Sequence, residues 1–298
     1  MKRRLQWALV LSGGSAKGFM HIGVLKVLES MGVPAPSLVV GTSMGAIVGG
    51  LYACGYGSEE LEDIACHRFD IRKYLDAAQF TTGGPVGRLV ETSKMVGRFM
   101  IKPAIDSGNQ ILAYLEELCH HKNIEDLRIP YCCNAVDLVS GNEVVLDHGS
   151  LALAMRASMA FPAFFDPVSL GSYYLVDGGI VNNLPVHIAR KRGYSQVLAV
   201  DVGAFSLSSP SSLQSGPRVV YRALEVAIAH IQRGEGDEAT LTLHPTDPAT
   251  PLDFARAKHL VQVGEAYGRE HQSTLERFFS PRLFSFWKRK IRPLEEDR

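Results

Sequence analysis

Leu38-Val-Val-Gly-Thr-Ser-Met-Gly-Ala-Ile-Val-Gly50 is the stretch that decides the fold. Three apolar residues run into Gly41-Thr42-Ser43-Met44-Gly45, and the small, apolar run that follows suits a helix. A serine between glycines, with a buried strand before it and a helix after it, is a nucleophile elbow. The turn strains the serine backbone, and Gly41 and Gly45 remove side chains that would collide as strand and helix approach. The Ser43 hydroxyl then projects at the positive end of the helix dipole, where an attacking oxygen is useful. In a chain with 28 glycines the bare pentapeptide is as often a tight turn, so the flanking strand and helix carry the reading.

Upstream, Gln6–Leu11 reads as a fully buried strand that runs into Ser12-Gly-Gly-Ser-Ala-Lys-Gly18. Phe19–Met31 then suits a helix, on the spacing of Ile22, Leu25, Val27 and Leu28, and ends at Gly32. A strand, a glycine turn and a helix make a cradle of backbone amides for a negative oxygen. Walker A fails because Gly18 follows Lys17, and Gly13, Gly14 and Gly18 do not give the dinucleotide spacing. An oxyanion hole and a glycine turn made for close packing remain.

Downstream, Ser58-Glu-Glu opens a helix with acidic residues in its first turn. Residues 69–107 lose periodicity, and they read as a lid or as a plain surface excursion. Asn109–His121 is an amphipathic helix, Tyr131–Val139 and Glu143–Leu146 form a hairpin, and Ser150–Ala160 is a small-residue helix. The strand Gly171–Asp177 ends on an aspartate followed by Gly178-Gly179, and the helix after it carries Pro185 in its first turn. Ser195–Val202 is a further buried strand and Val219–Gln232 a helix. Alternating strands and helices imply a three-layer α/β/α domain with a mainly parallel central sheet, assigned to 1–275, with a basic aromatic tail over 276–298.

The 298 residues carry 31 Lys+Arg and 31 Asp+Glu, so the basic excess of a nucleic-acid binder is missing. Cys54, Cys66, Cys119, Cys132 and Cys133 lack metal-binding spacing and point to reduced thiols. Adjacent Cys132 and Cys133 fit a strand, facing opposite ways. The apolar run Trp7–Leu11 is too short for a signal peptide, and no stretch reaches the roughly 18 apolar residues of a membrane span. The expectation is a cytoplasmic protein without metal or cofactor. Phe278–Arg292 either lies on anionic lipid at the inner membrane face or packs its aromatic residues on the domain.

Three ordered motifs, Gly13-Gly14-Ser15-Ala16-Lys17-Gly18, Gly41–Gly45 and Asp177-Gly178-Gly179, together resemble the patatin-like phospholipase family, in particular bacterial members related to the neuropathy target esterase catalytic domain. Ala157–Pro162 and Asn182-Asn183-Leu184-Pro185 look similar to it as well, so the likeness spans roughly 7–202. Ser12 stands where many members have glycine. Lys17 replaces the more frequent arginine, keeping the charge but losing bidentate geometry. The resemblance implies a lipid substrate and a Ser-Asp dyad, with Ser43 attacking an ester and Asp177 taking its proton. It also implies that the amides of Gly13, Gly14 and Ser15 hold the oxyanion. The rivals are a Ser-His-Asp esterase with His244 as base, an acyltransferase, and a silent lipid-binding regulator. Asp137, Asp147 and Asp201 also end strands, but only Asp177 carries a glycine pair.

Overall fold

The computed structural model describes residues 6–69, 104–203, 209–213, 216–232, 239–248 and 253–280. The lid expectation falls mostly on residues outside these, and so does the tail beyond 280. In chain order the strands are β1 (Ala8–Leu11), β2 (Leu38–Gly41), β3 (Ala104–Asp106), β4 (Tyr131–Asp137), β5 (Glu143–Leu146), β6 (Ala163–Phe165), β7 (Val168–Leu170), β8 (Tyr173–Asp177), β9 (Val197–Val200) and β10 (Leu241–Leu243). The helices are α1 (Phe19–Ser30), α2 (Met44–Cys54), α3 (Ser58–Asp63), α4 (Asn109–Leu118), α5 (Leu151–Ser158), α6 (Val186–Lys191), α7 (Gly216–Gln232), α8 (Ala257–Glu270) and α9 (Gln272–Phe279).

The central sheet runs β10-β9-β1-β2-β4-β8-β7, with β5 also on β4, while β3 and β6 pair separately. From β10 to β4 every pairing is parallel, and β5, β7 and β8 are antiparallel. Both faces of the parallel part are covered, which is why its strands read as continuous apolar runs. Leu9, Leu11, Val39 and Cys133 face the larger layer, built from α1, α2, α5 and α8. Ala8, Val10, Leu38, Val40 and Cys132 face the other, where α6 supplies Val186, Ile188 and Ala189. The two cysteines therefore do point to opposite faces of β4. All five cysteines are free.

The decisive feature is how β2 and β8 share β4. Ala135 and Val136 pair with β5 on one edge, so β8, which pairs Asp177 with Ala135, uses the other. Cys133 pairs with Leu146 of β5 and with Gly41 of β2, which places β2 on that same second edge. The two strands thus run toward each other and stop end to end. Gly41 lies opposite Cys133 and Asp177 opposite Ala135, two residues or about 7 Å further along the strand. The meeting point is the carboxyl end of the parallel strands, where ligands bind in open α/β sheets.

At the opposite end of the sheet, α9 closes the domain. Phe278 and Phe279 stack edge-on against Trp7, with ring centroids 6.4 and 5.0 Å away, and Phe278 is buried. The first aromatic residues of the tail segment therefore turn into the fold beside the start of β1. Asn182–Leu184 precede α6 as a loop rather than opening the helix, because Pro185 caps it. Among the described residues no helix is long and apolar enough to cross a membrane.

Candidate active site

The chain leaves β2 at Gly41, turns at Thr42-Ser43 and enters α2 at Met44. Ser43 has φ 53 and ψ −120, a conformation that costs a non-glycine residue about 1–3 kcal/mol. The surroundings over-determine it. A Cβ on Gly45 would lie 2.3 Å from the Leu11 carbonyl oxygen, and one on Gly41 would lie 2.5 Å from Ala46 Cα. The Ser43 amide donates to Ser158 Oγ at 2.9 Å, so the last residue of α5 holds the turn from behind. Ser43 is partly exposed while both neighbours are buried, which leaves its hydroxyl within reach of a ligand.

Asp177 ends β8 with 3% of its surface exposed. Its amide donates to the Ala160 carbonyl at 3.0 Å, and its Oδ1 accepts the Gly179 N–H at 2.8 Å. The Ser43 side chain lies close enough to act on its carboxylate. Burial pushes the carboxyl up to about 6, although the Ser43 hydroxyl and the Gly179 amide pull the other way. A carboxylate with that basicity, beside a serine hydroxyl, can accept its proton without an imidazole. The segment Ser158–Ala160 thus fixes both partners, one through a side chain and one through a carbonyl. No sequence signal singled out Ser158 for that task.

The cradle after β1 sits against the same point. Gly13 packs on Ser43, since a Cβ there would come 3.1 Å from Ser43 Cβ. The Gly13 amide, however, donates to the Asn183 carbonyl at 3.2 Å, and Asn183 Nδ2 donates back to the Gly13 carbonyl at 3.2 Å. Among the described residues, none accepts from the Gly14 or Ser15 amide. Ser15 stands at φ 51 at the head of the short turn Ser15–Gly18, whose Lys17 amide returns to the Gly14 carbonyl at 3.1 Å. Gly18 rests on Met44, the residue after the nucleophile. Ser12 Oγ takes the Val202 N–H at 2.9 Å, a role that glycine could not fill.

The rival acids and bases lie elsewhere. His244 Nδ1 is 3.4 Å from Asp201, and His187 pairs with Glu143 at 2.9 Å. His259 meets Asp247 and His271 meets the Tyr267 carbonyl. His21, a buried residue of α1, contacts the Ser12 carbonyl at 2.9 Å, and burial lowers its pKa to about 4. Asp137 accepts from the amides of Tyr174, Val139 and Ser140 and from the Ser140 hydroxyl; it holds a loop, and these bonds lower its carboxyl to about 2.

Beside the nucleophile, α1, α2, α3 and α4 enclose a cavity of about 50 Å³ lined by apolar side chains, among them Met44, Ile47, Val48, Leu51, Ile111 and Leu115. Met44 connects it to Ser43.

Residues 9–190 match the family model for patatin-like phospholipase. That stretch contains Ser43 and Asp177 but not His244. The chain is 28% identical to lysophospholipase NTE1 of Kluyveromyces lactis, over 90% of this chain and 19% of that protein. It is 34% identical to human patatin-like phospholipase domain-containing protein 6, over 66% of this chain and 13% of that one. The chain thus spans about a fifth or less of the length of these curated relatives. VipD from Legionella pneumophila shares the fold at a TM-score of 0.54 and 16% identity, covering 91% of this chain and 67% of VipD.

Proposed function

The chain belongs to the patatin-like phospholipase family, and from that premise we propose that it is a serine hydrolase of fatty-acyl esters in phospholipids or lysophospholipids. The observation that carries this reading is the buried Asp177 carboxylate, its proton affinity raised by burial, brought beside Ser43 where β2 and β8 meet on β4. Ser43 Oγ attacks the ester carbonyl while Asp177 takes its proton. The oxyanion of the tetrahedral intermediate is held by the Gly14 and Ser15 amides at the end of β1. Gly13 contributes its amide only if the bond to Asn183 opens, so Gly13 serves chiefly to let the cradle close on Ser43. Collapse expels the alcohol, with Asp177 returning the proton to it. Water, deprotonated by the same carboxylate, then releases the acid.

The apolar cavity behind Met44 supports a fatty-acyl group as the part of the substrate held there, because its lining is apolar. The names of the relatives favour lysophospholipid as the first substrate to try. A Ser-His-Asp triad loses support, since His244 and its partner Asp201 stand at the β10–β9 end of the sheet, with β10 three strands from the β2 that leads to Ser43. The five free thiols fit a reducing compartment, and a cytoplasmic protein meeting the inner membrane face is the setting this reading proposes. Lipid contact through Phe278–Arg292 would then fall to the part beyond Phe279, since Phe278 is packed on Trp7.

The test compares wild type with Ser43→Ala on a fluorophosphonate probe, on p-nitrophenyl esters and on lysophospholipid. Covalent labelling and fatty-acid release are expected from wild type alone. Unlabelled wild type, or equal release by both proteins, overturns the reading.

A further inference from the structure

Behind the dyad lies a chain of polar groups that the mechanism above does not use. Thr42 Oγ1, one residue before the nucleophile, donates to Asn134 Oδ1 at 2.7 Å. The Asn134 amide nitrogen donates to Glu143 Oε1 and to the Asn182 carbonyl, both at 2.8 Å. Glu143 Oε2 lies 2.9 Å from His187 Nε2, and His187 Nδ1 lies 2.8 Å from Asn182 Nδ2. The ring closes on itself through the side chains of Asn134 on β4, Glu143 on β5, His187 on α6 and Asn182 in the loop after Asp177, with the Asn182 carbonyl completing it and Thr42 of the elbow joined at Asn134. Asn134 is fully buried, so every polar atom of its amide must find a partner, and every one does.

This ring grips both ends of the dyad. Gly178, directly after Asp177, lies so flat on Asn134 that a Cβ there would come 2.4 Å from Asn134 Oδ1. Asn182 closes the same loop on Gly178 through its amide at 2.9 Å, and its carbonyl and side chain both end on the ring. Burial pushes the Glu143 carboxyl up, but the bonds from His187 and Asn134 outweigh it and hold the group below its usual range. With Glu143 ionised, His187 Nε2–H faces the carboxylate, and Nδ1 is left to accept from Asn182. The imidazole thus has a fixed direction.

Resting on the catalytic reading above, we infer that Asn134, Glu143 and His187 are positioning residues: Asn134 couples the Ser43 turn to the Asp177 loop, and the Glu143–His187 pair locks that loop at Asn182. None of the three touches substrate. They act by keeping the Asp177 carboxylate within hydrogen-bond reach of Ser43, where a misplacement near 1 Å costs about 100-fold in rate.

The test uses the full chain with Glu143→Ala, His187→Ala, the double variant and His187→Gln, assayed on p-nitrophenyl butyrate. Each single change is expected to lower kcat by about 10- to 100-fold with KM within about twofold. The double variant is expected to be no worse than the poorer single, because both remove one coupling. Glutamine, which offers an amide donor and an acceptor, is expected to recover most of the loss. Amide hydrogen exchange is read in parallel, and residues 178–183 are expected to exchange faster in both alanine variants while β1 and β9 stay unchanged. Unchanged kcat beside a lowered Tm, additive losses, or unchanged exchange at 178–183 would each overturn the inference. A wild type without esterase activity but with the predicted exchange pattern would instead sink the catalytic reading and leave the clamp standing.

Discussion

Asp177 and Asp201 follow separate strands of one sheet, β8 and β9, and each accepts an amide two residues on: Gly179 at 2.8 Å and Gly203 at 3.0 Å. Their proton affinities nonetheless move in opposite directions. Asp177, 3% exposed, faces a neutral hydroxyl, and burial drives its carboxyl up to about 6. Burial also pushes Asp201 up, but the His244 imidazole at 3.4 Å, the Gly203 amide and Ser12 outweigh it and hold that carboxyl below its usual range. A strand-end carboxylate becomes a base where desolvation exceeds hydrogen bonding, and a loop holder where the balance is reversed.

The sharpest way to break this contrast is Asp177→Asn. Loss of the base is expected to lower kcat by about 10⁴-fold. The same change is expected to raise Tm at neutral pH. A folded-state pKa raised above the unfolded value means that stability falls as pH climbs from about 4 to about 6 and is flat above. Removing the buried charge returns up to about 3 kcal/mol of it. Asp201→Asn is expected to lower Tm instead, because its depressed carboxyl favours the folded state above the unfolded pKa. Thermal melts of both variants at pH 7.5 check the pair of signs, and two shifts in one direction would break the comparison.

A second consequence is an acid limb. The dependence of kcat/KM on pH is expected to fall about tenfold per unit below an apparent pKa near 6. Asp201→Asn is expected to leave that limb in place. The smallest effect is assigned to His244→Ala, with kcat/KM within about twofold of wild type, whereas removing a general base would cost at least about 100-fold. A loss of that size in a p-nitrophenyl ester assay would move the base from Asp177 to His244.

Much of the fold was legible in the chain. Continuous apolar runs at 8–11, 38–41 and 197–200 are strands covered on both faces, and the glycines around Ser43 sit where strand and helix backbones touch. The short hairpin partner β7 gave no comparable signal, because Val168-Ser-Leu170 is too brief for a period to develop. Within the site, Ser43 and Asp177 announced themselves through their glycines. Ser158 and Asn183 lay inside the family-like stretches Ala157–Pro162 and Asn182–Pro185 without a role being readable there, and Asn134 gave no signal, since a buried serine or asparagine looks in sequence like one in any surface loop. The cradle shows the limit of a motif most plainly. Gly13-Gly14-Ser15 promised three amides, and one of them is already bonded to Asn183, 170 positions away.

By itself, then, the sequence determined what is local: which runs are strands, where the chain turns too tightly for a side chain, and which serine stands at a helix N-terminus. Backbone conformation and burial of a single strand depend on neighbouring residues, so they are written nearby. The tertiary structure alone decided that β2 and β8 meet head to head on one edge of β4, bringing Asp177 to Ser43, and that Asp177 rather than Asp201 is left without a compensating charge. Strand pairing and desolvation are set by groups distant in sequence, Gly41 opposite Cys133 and Asp177 opposite Ala135, and no short stretch of the chain contains them.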